Sequence, residues 1–308
     1  MPQGSILGPL LFLIFINDLP EATNFMVKLF ADDTFLCAEN TNFSDLETEV
    51  NPELTKLFEW FSSNKLTLNM KKSKFMIITN KKKKDIPDFT VKIDSRPLEE
   101  CNSYKYLGIH IDNKLTWDTH VCYLVKKISK ACGALAKLRH SVPTKILMNV
   151  YYALVYSYLR YSISVWGNAS DAVLQPLQTI MNKALRILTF APFGHIDLQP
   201  MFDHLKVLNV KQIFSLETGK FIFKSKNNML PISIGGYFEP DPFVNQHNYG
   251  LRSRTSNQPI RLVCRTKSGE KSLQIRGEKF WNDLPELLKE SESFCLFKKN
   301  LKKYLLEP

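Results

Sequence analysis

Asp32 and Asp33 stand side by side between two short apolar runs, Phe25 to Phe30 and Thr34 to Ala38. The runs read as two strands, which puts both acids at the turn between them. Paired carboxylates in an open turn suit a hard divalent cation such as Mg²⁺, which keeps several waters and takes one or two protein carboxylates plus substrate phosphates. Two such ions can clamp the attacking and leaving oxygens of a phosphoryl transfer. Asp is also an ordinary turn residue, because its side chain bonds nearby backbone N–H groups.

Other residues with chemical capacity follow in order. Gln3-Gly4, in PQGSILGP from Pro2 to Pro9, opens an apolar segment; Gly permits close backbone approach, and Gln both donates and accepts hydrogen bonds. Lys72 lies in LNMKKSK, within a lysine-rich stretch that continues at Lys81 to Lys84 and whose ordinary explanation is a solvated loop. Tyr106-Leu107-Gly108 ends a strand-like run. Lys126, Lys127, Lys130, Lys137 and Arg139 fall on the polar side of a helical pattern, where they can follow phosphates without reading sequence or simply face water.

Taken in order, PQGSILGPLLFLIFINDLP (Pro2 to Pro20), FADDT (Phe30 to Thr34), Leu66-Thr67-Leu68-Asn69 with Lys72-Ser73, and YKYLGIHID (Tyr104 to Asp112) resemble the second half of a reverse transcriptase palm. The resemblance is to non-LTR retrotransposons, the jockey-like elements in particular. A weaker similarity to the C-terminal region of these element proteins continues in HNYGLRSR from His247, GEKFWNDLP from Gly277 and FKKNLKKYLL from Phe297. The resemblance implies that Asp32 ligates catalytic metal and that Asp33 is a weaker or structural contributor. It implies that Gln3 and Gly4 touch the templating base and incoming nucleotide, and that Lys72 assists pyrophosphate departure as a cation or general acid. It makes Tyr106, Leu107 and Gly108 the primer grip, and Lys126, Lys127, Lys130, Lys137 and Arg139 phosphate contacts of a helical thumb. The implied partners are an RNA template, a DNA primer and a deoxynucleoside triphosphate, with Mg²⁺ as cofactor.

The elements that must position these residues are readable in part. Leu10, Leu11, Leu13, Ile14, Phe15 and Leu19 predict a mostly buried helix with Pro9 in its first turn, ending at Asp18-Leu19-Pro20. Leu46, Val50, Leu54, Leu57, Phe58 and Phe61 predict a second helix, with Ser44 as its N-cap. Strand-like runs cover Lys74 to Thr79, Phe89 to Ile93 and Tyr104 to Ile111, giving an α+β layer with a small antiparallel sheet. From Trp117 to Leu138 the apolar period is helical, and further helices are predicted from Thr144 to Trp166, from about Ala172 to Leu188 and from Phe294 to Leu306. The stretch from Asn227 to Pro259 reads as loop-rich.

Composition sets the class. The 308 residues are 44% hydrophobic and 12% aromatic, enough for a buried core, so disorder is excluded as the default. Forty-one Lys+Arg against thirty Asp+Glu give a net charge of +11, which favours a polyanionic partner. The six cysteines form no C-x-x-C and no zinc spacing, and read as reduced thiols. The run Leu10 to Ile16 has no preceding Lys or Arg and is too short to span a bilayer; Tyr151 to Trp166 carries Arg160 and many tyrosines, so neither reads as a membrane span. An intracellular protein, in nucleus or cytoplasm, is expected.

The resembled palm also uses a third carboxylate on an earlier strand, upstream of its PQG, together with fingers. This sequence starts at that point, and Asp18 corresponds to an acid without metal duty. The expectation is therefore a partial palm over 1–115, a helical thumb-like region over 116–190 and an element-specific region over 191–308. It is a polymerase by ancestry that is catalytically incomplete alone, or else a non-catalytic nucleic-acid-binding remnant or a domesticated or degenerate element product.

Overall fold

A computed structural model describes residues 4–81, 86–192, 199–231, 234 and 267–307. Gln3, Lys82 to Lys84, most of the stretch 227–259 and the HNYGLRSR motif lie outside the described residues. The chain is α+β, and it divides into two compact units. One comprises residues up to Lys105 with Asp112–Leu115; the other comprises Tyr106–Ile111 with residues from Thr116 onward.

The first unit begins with helix α1 (Leu7–Phe15), followed by a 3₁₀ turn at Leu19–Ala22. Pro9 sits in the first turn of α1, where a missing N–H costs nothing. The helix ends at Phe15, short of Asp18, and it is exposed where burial was expected. Leu10 and Leu13 are each about half accessible, and no residue of α1 is buried. The physical reason is that apolar residues run right round this helix. Only Phe12, with Ile16 one turn on, joins the unit's core, and the other large apolar residues of the helix stay about half exposed or more.

Strands β1 (Met26–Phe30) and β2 (Asp33–Cys37) pair antiparallel, with Leu29 opposite Thr34 and Phe30 opposite Asp33. Helix α2 (Phe43–Ser63) follows, with Asn42 rather than Ser44 at the N-cap position and no side-chain cap bond, and it buries Leu54, Leu57 and Phe61 at the 3- and 4-residue spacing of one helical face. Glu53, also buried, binds the segment before β1 to α2: its carboxylate accepts from the Thr23 hydroxyl at 2.9 Å and from the Asn24 backbone N–H at 2.8 Å. The hydrogen bond from Lys56 first, then those from Asn24 and Thr23, hold its carboxyl at about 2, well below the usual range.

The expected longer strands shrink to short pairs. These are β3 (Lys74–Phe75) with β6 (Glu99–Glu100), and β4 (Lys92–Ile93) with β5 (Arg96–Pro97). The first of these pairs is parallel, not antiparallel, and Lys74 and Glu99 form an ion pair at 2.8 Å. A single continuous sheet is absent among the described residues, each pair being two-stranded. Such pairs are marginal alone and hold because residues beside them, among them Val91, Ile93 and Phe75, join the core cluster around α2.

The last hairpin, β7 (Ser103–Tyr106) and β8 (Ile109–Asp112), is where the chain passes from one unit to the other. The second unit is helical. Helix α3 (Asp118–Leu138) packs along α7 (Asp171–Thr189), and its buried residues include Val121, Leu124, Ile128, Cys132 and Leu135. Between them run α4 (Thr144–Tyr151), a π turn at Tyr152–Tyr156, α5 (Ser157–Arg160) and α6 (Ile163–Trp166). The single helix expected over this span is broken at Tyr161-Ser162. Ser162 takes a left-handed φ of 50°, and the Trp166 indole N–H caps the Tyr161 carbonyl at 3.0 Å.

After α8 (Gln199–Leu205), helix α9 (Val210–Lys226) opens with a capping box between Asn209 and Gln212. It is surrounded by α6, by α11 (Leu273–Asp283), which follows the single turn α10 (Lys267–Glu270), and by α13 (Phe294–Leu306), which follows the short α12 (Glu286–Lys289). Gly219 permits the approach, since a Cβ there would stand 2.6 Å from Leu301 and 3.0 Å from Phe280. Phe297 and Leu301 are fully buried in the same core as α3 and α7. No described helix is long and apolar enough to cross a membrane.

Candidate nucleic-acid and metal site

The hairpin that carries the two acids follows from alternation. Val27, Leu29 and Leu36 turn toward the first unit's core, while Met26, Lys28 and Phe30 turn out. With Phe30 opposite Asp33, the connection is the two-residue loop Ala31-Asp32. Ala31 adopts φ 49°, a left-handed conformation that tight hairpins require at their first central position. A small residue tolerates it better than a bulky one. Asp32 therefore sits at the tip and Asp33 at the first position of β2, both exposed. Neither forms an ion pair or a side-chain hydrogen bond with a described residue.

Among the described residues, no group of three or more His, Cys, Asp or Glu is gathered as a metal cage would require. The donor set of the hairpin thus fits a divalent cation only in part: two adjacent oxygen ligands, with the remainder to come from water, phosphate or another strand.

Gly4 is exposed and takes φ 88°, with nothing within 4 Å of where a Cβ would stand, so backbone conformation rather than close packing calls for glycine there. Lys72 lies in a turn. Its backbone N–H donates to the Asn69 carbonyl at 3.0 Å, its carbonyl accepts from the Tyr104 hydroxyl at 3.2 Å, and the residue is exposed.

Tyr106, Leu107 and Gly108 form the end of β7 and a two-residue hairpin loop. Leu107 has φ 45° and Gly108 φ 83°. Positive φ at both central positions is the signature of a turn that matches strand twist. Leu is a costly occupant of its first position, because a branched side chain crowds the carbonyl there. The loop is held from within its own unit. The Tyr161 hydroxyl donates to the Leu107 carbonyl at 2.7 Å, and its ring edge would lie 3.4 Å from a Cβ on Gly108.

On α3, Lys126, Lys130 and Lys137 are exposed and fall within about 40° of one another round the helix axis. Lys127 is half-buried, with its Nζ 5.5 Å from the centroid of the Tyr123 ring. Arg139 departs from the expected row. It caps the C-terminus of α3, and its guanidinium lies 4.3 Å over the Phe190 ring, because the last turn of α3 faces the end of α7.

Sequence reasoning passed over two residues here. Tyr161 was read only as part of a tyrosine-rich helix, and its bond to a carbonyl 54 residues earlier leaves no sequence signal. His120 was not singled out. It is 1% exposed, its Nδ1 accepts the His110 backbone N–H at 3.3 Å, and its ring meets Trp166 edge-on at 5.4 Å. Burial, then the neighbouring His110, pushes its pKa down to about 4, so the imidazole is neutral at physiological pH.

Residues 1–111 match the family model described as "Reverse transcriptase (RNA-dependent DNA polymerase)". The chain is similar to the "Probable RNA-directed DNA polymerase from transposon X-element" of Drosophila melanogaster, at 28% identity over 198 residues, covering 61% of this chain and 21% of that protein. It is 28% identical over 205 residues to the "RNA-directed DNA polymerase from mobile element jockey" of Drosophila funebris, covering 63% of this chain and 22% of the relative. A third relative, the "Probable RNA-directed DNA polymerase from transposon BS" of Drosophila melanogaster, is 25% identical over 232 residues, covering 72% and 25%. The chain thus spans about a fifth to a quarter of the length of these curated relatives. No solved structure matches it. Similarity to reverse transcriptases thus lies in residues 1–111, and the relatives that extend it are named as RNA-directed DNA polymerases of Drosophila transposons and mobile elements.

Proposed function

We propose that this chain is a portion of a non-LTR retrotransposon reverse transcriptase, comprising the later palm and a helical thumb-like unit, and that it holds an RNA template and DNA primer. The observation that carries the reading is the pair Asp32-Asp33 at the tip of an antiparallel hairpin inside the segment that matches the reverse transcriptase family. A divalent metal, Mg²⁺ in this reading, neutralises charge on the phosphates when bound. Asp32 is the residue that contacts it and Asp33 the secondary contributor. Gln3 and Gly4 border the template and nucleotide, Lys72 supplies a cation to departing pyrophosphate, and Tyr106, Leu107 and Gly108 hold the primer end. Lys126, Lys127, Lys130 and Lys137 lie along the backbone, with Arg139 a weaker contact because it is engaged on Phe190. A nuclear or cytoplasmic location follows from such a role.

The same reading makes the 308 residues inactive by themselves. Phosphoryl transfer depends on positioning and charge stabilisation, and two carboxylates from one hairpin leave the reacting oxygens poorly aligned. Primer extension with and without further upstream sequence, and with Asp32→Ala, tests the assignment. A second reading, a nucleic-acid-binding remnant without catalysis, draws support from the exposed basic row on α3 and is separated from the first by the same assay.

A further inference from the structure

Beside the Leu107-Gly108 loop the second unit contains a cavity of about 300 Å³. Gly108, Tyr123 of α3, and Tyr158 and Tyr161 at the α5 end line it. His120 and Leu124 of α3 and the exposed Ser157 complete its lining. The volume is at the small end of the range for bound organic ligands, about 300 to 1,000 Å³. The walls are mainly aromatic, which suits a flat ring. The only histidine is neutral, and among the described residues no carboxylate or cysteine joins it, so a metal ion has too few ligands there. At the same edge Lys127 stands over the Tyr123 ring, with Lys126 and Lys130 exposed on the same helix.

Aromatic walls beside a row of ammonium groups combine the two features by which proteins hold single-stranded nucleic acid, stacking for a base and charge for its phosphate. The wall is also built by a local departure from regular helix. The π turn at Tyr152–Tyr156 immediately precedes Ser157 and Tyr158, and such turns recur at functional sites. The chain break at Tyr161-Ser162 then sends Tyr161 to the Leu107 carbonyl instead of continuing the helix.

We propose that this cavity receives one unpaired nucleobase at a strand end, stacked among Tyr123, Tyr158 and Tyr161, with the adjoining phosphate on Lys127. The inference rests on the reading of the helical unit as a nucleic-acid binder and adds a base site to it. It predicts that a primer–template carrying one unpaired terminal nucleotide is preferred over the same duplex with a blunt end, with little dependence on which base is unpaired.

The test uses the full 308-residue chain and two RNA–DNA duplexes, one blunt and one with a single unpaired 3′ 2-aminopurine. Stacking on an aromatic side chain predicts a preference of about tenfold for the overhang and a change in 2-aminopurine fluorescence on binding. Ser157→Phe places a bulky ring in the cavity from an exposed lining position on α5. It should abolish the preference and the fluorescence change while leaving blunt-duplex affinity intact; Tyr158→Leu, which removes a wall, should do the same. Equal binding of both duplexes by the unaltered chain, or a preference that survives Ser157→Phe, would overturn the base site while leaving the phosphate-binding reading in place. Failure to bind either duplex would overturn that underlying reading, and the base site with it.

Discussion

The Tyr161 hydroxyl donates to the Leu107 carbonyl at 2.7 Å, so a residue at a helix break holds a loop 54 positions earlier in the chain. The loop needs holding, because Leu107 is kept at φ 45°, where a non-glycine side chain is strained. Nearby, Arg160 pairs with Glu217 at 2.8 Å, and Glu217 also takes Lys220 at 2.6 Å, so the end of α5 is fixed to α9. The Tyr106-Leu107-Gly108 loop is positioned by side chains from outside its own strands.

Tyr161→Phe keeps the ring against Gly108 and deletes only the hydroxyl. The expected loss is about 1 kcal/mol, the net worth of one such bond, felt at the loop. Amide hydrogen exchange at Gly108 and Ile109 should accelerate while amides in the middle of α7 keep their protection. Unchanged protection at the loop would show that strand pairing alone holds it.

His120 supplies a pH dependence whose sign can be worked out. Its folded pKa of about 4 lies below the ordinary histidine value of 6.5, so the unfolded chain binds the extra proton more readily. Stability is fully present above pH 6.5 and falls as pH drops from there toward 4. His110, Tyr123 and Trp166 face the ring, and no carboxylate among them offsets its charge. Thermal unfolding of the second unit should show a falling midpoint across this window, weakened in His120→Gln. A midpoint flat between pH 6.5 and 4 would refute it. Glu53 acts elsewhere and lower, since its stabilisation is lost only as pH falls from about 4.5 toward 2.

Lys126 and Lys130 lie one turn apart on the exposed side of α3. If both contact phosphates, replacing them with Gln weakens binding to every duplex alike and lowers the slope of log affinity against log salt by about 2. Filter binding or anisotropy between low and moderate salt measures that slope. An unchanged slope would assign these lysines to solvent.

How much of this was legible follows the strength of each local pattern. Helix α7 was expected from Ala172 to Leu188 and runs Asp171–Thr189, and α13 was expected over the residues it occupies; both carry a one-sided apolar stripe. The turn was readable from the break between two apolar runs but one residue off: it was expected at Asp32-Asp33, and it is Ala31-Asp32, with Asp33 already paired in β2. Helix α9 was not foreseen. Its buried residues, from Val210 and Ile213 through Gly219 to Phe223 and Ser225, lie on several faces, so it has little stripe to detect. Exposure of α1 was missed for the converse reason: an all-apolar helix signals burial, whatever the neighbours turn out to be. Contacts such as Leu107 with Tyr161, and the cavity beside them, depend on tertiary closure and leave no periodic trace.

The central claim is that Asp32 is the metal-contacting acid of a palm that needs carboxylates beyond its own hairpin. Extension of a DNA primer on an RNA template with Mg²⁺ or Mn²⁺ tests it most directly, comparing the 308-residue chain, a longer polypeptide restoring fingers and first palm strand, and Asp32→Ala in each. The account predicts background extension by the 308-residue chain, and robust extension by the longer polypeptide that disappears with Asp32→Ala. Extension by the 308-residue chain that is lost in Asp32→Ala, or extension by the longer polypeptide that survives Asp32→Ala, would contradict it.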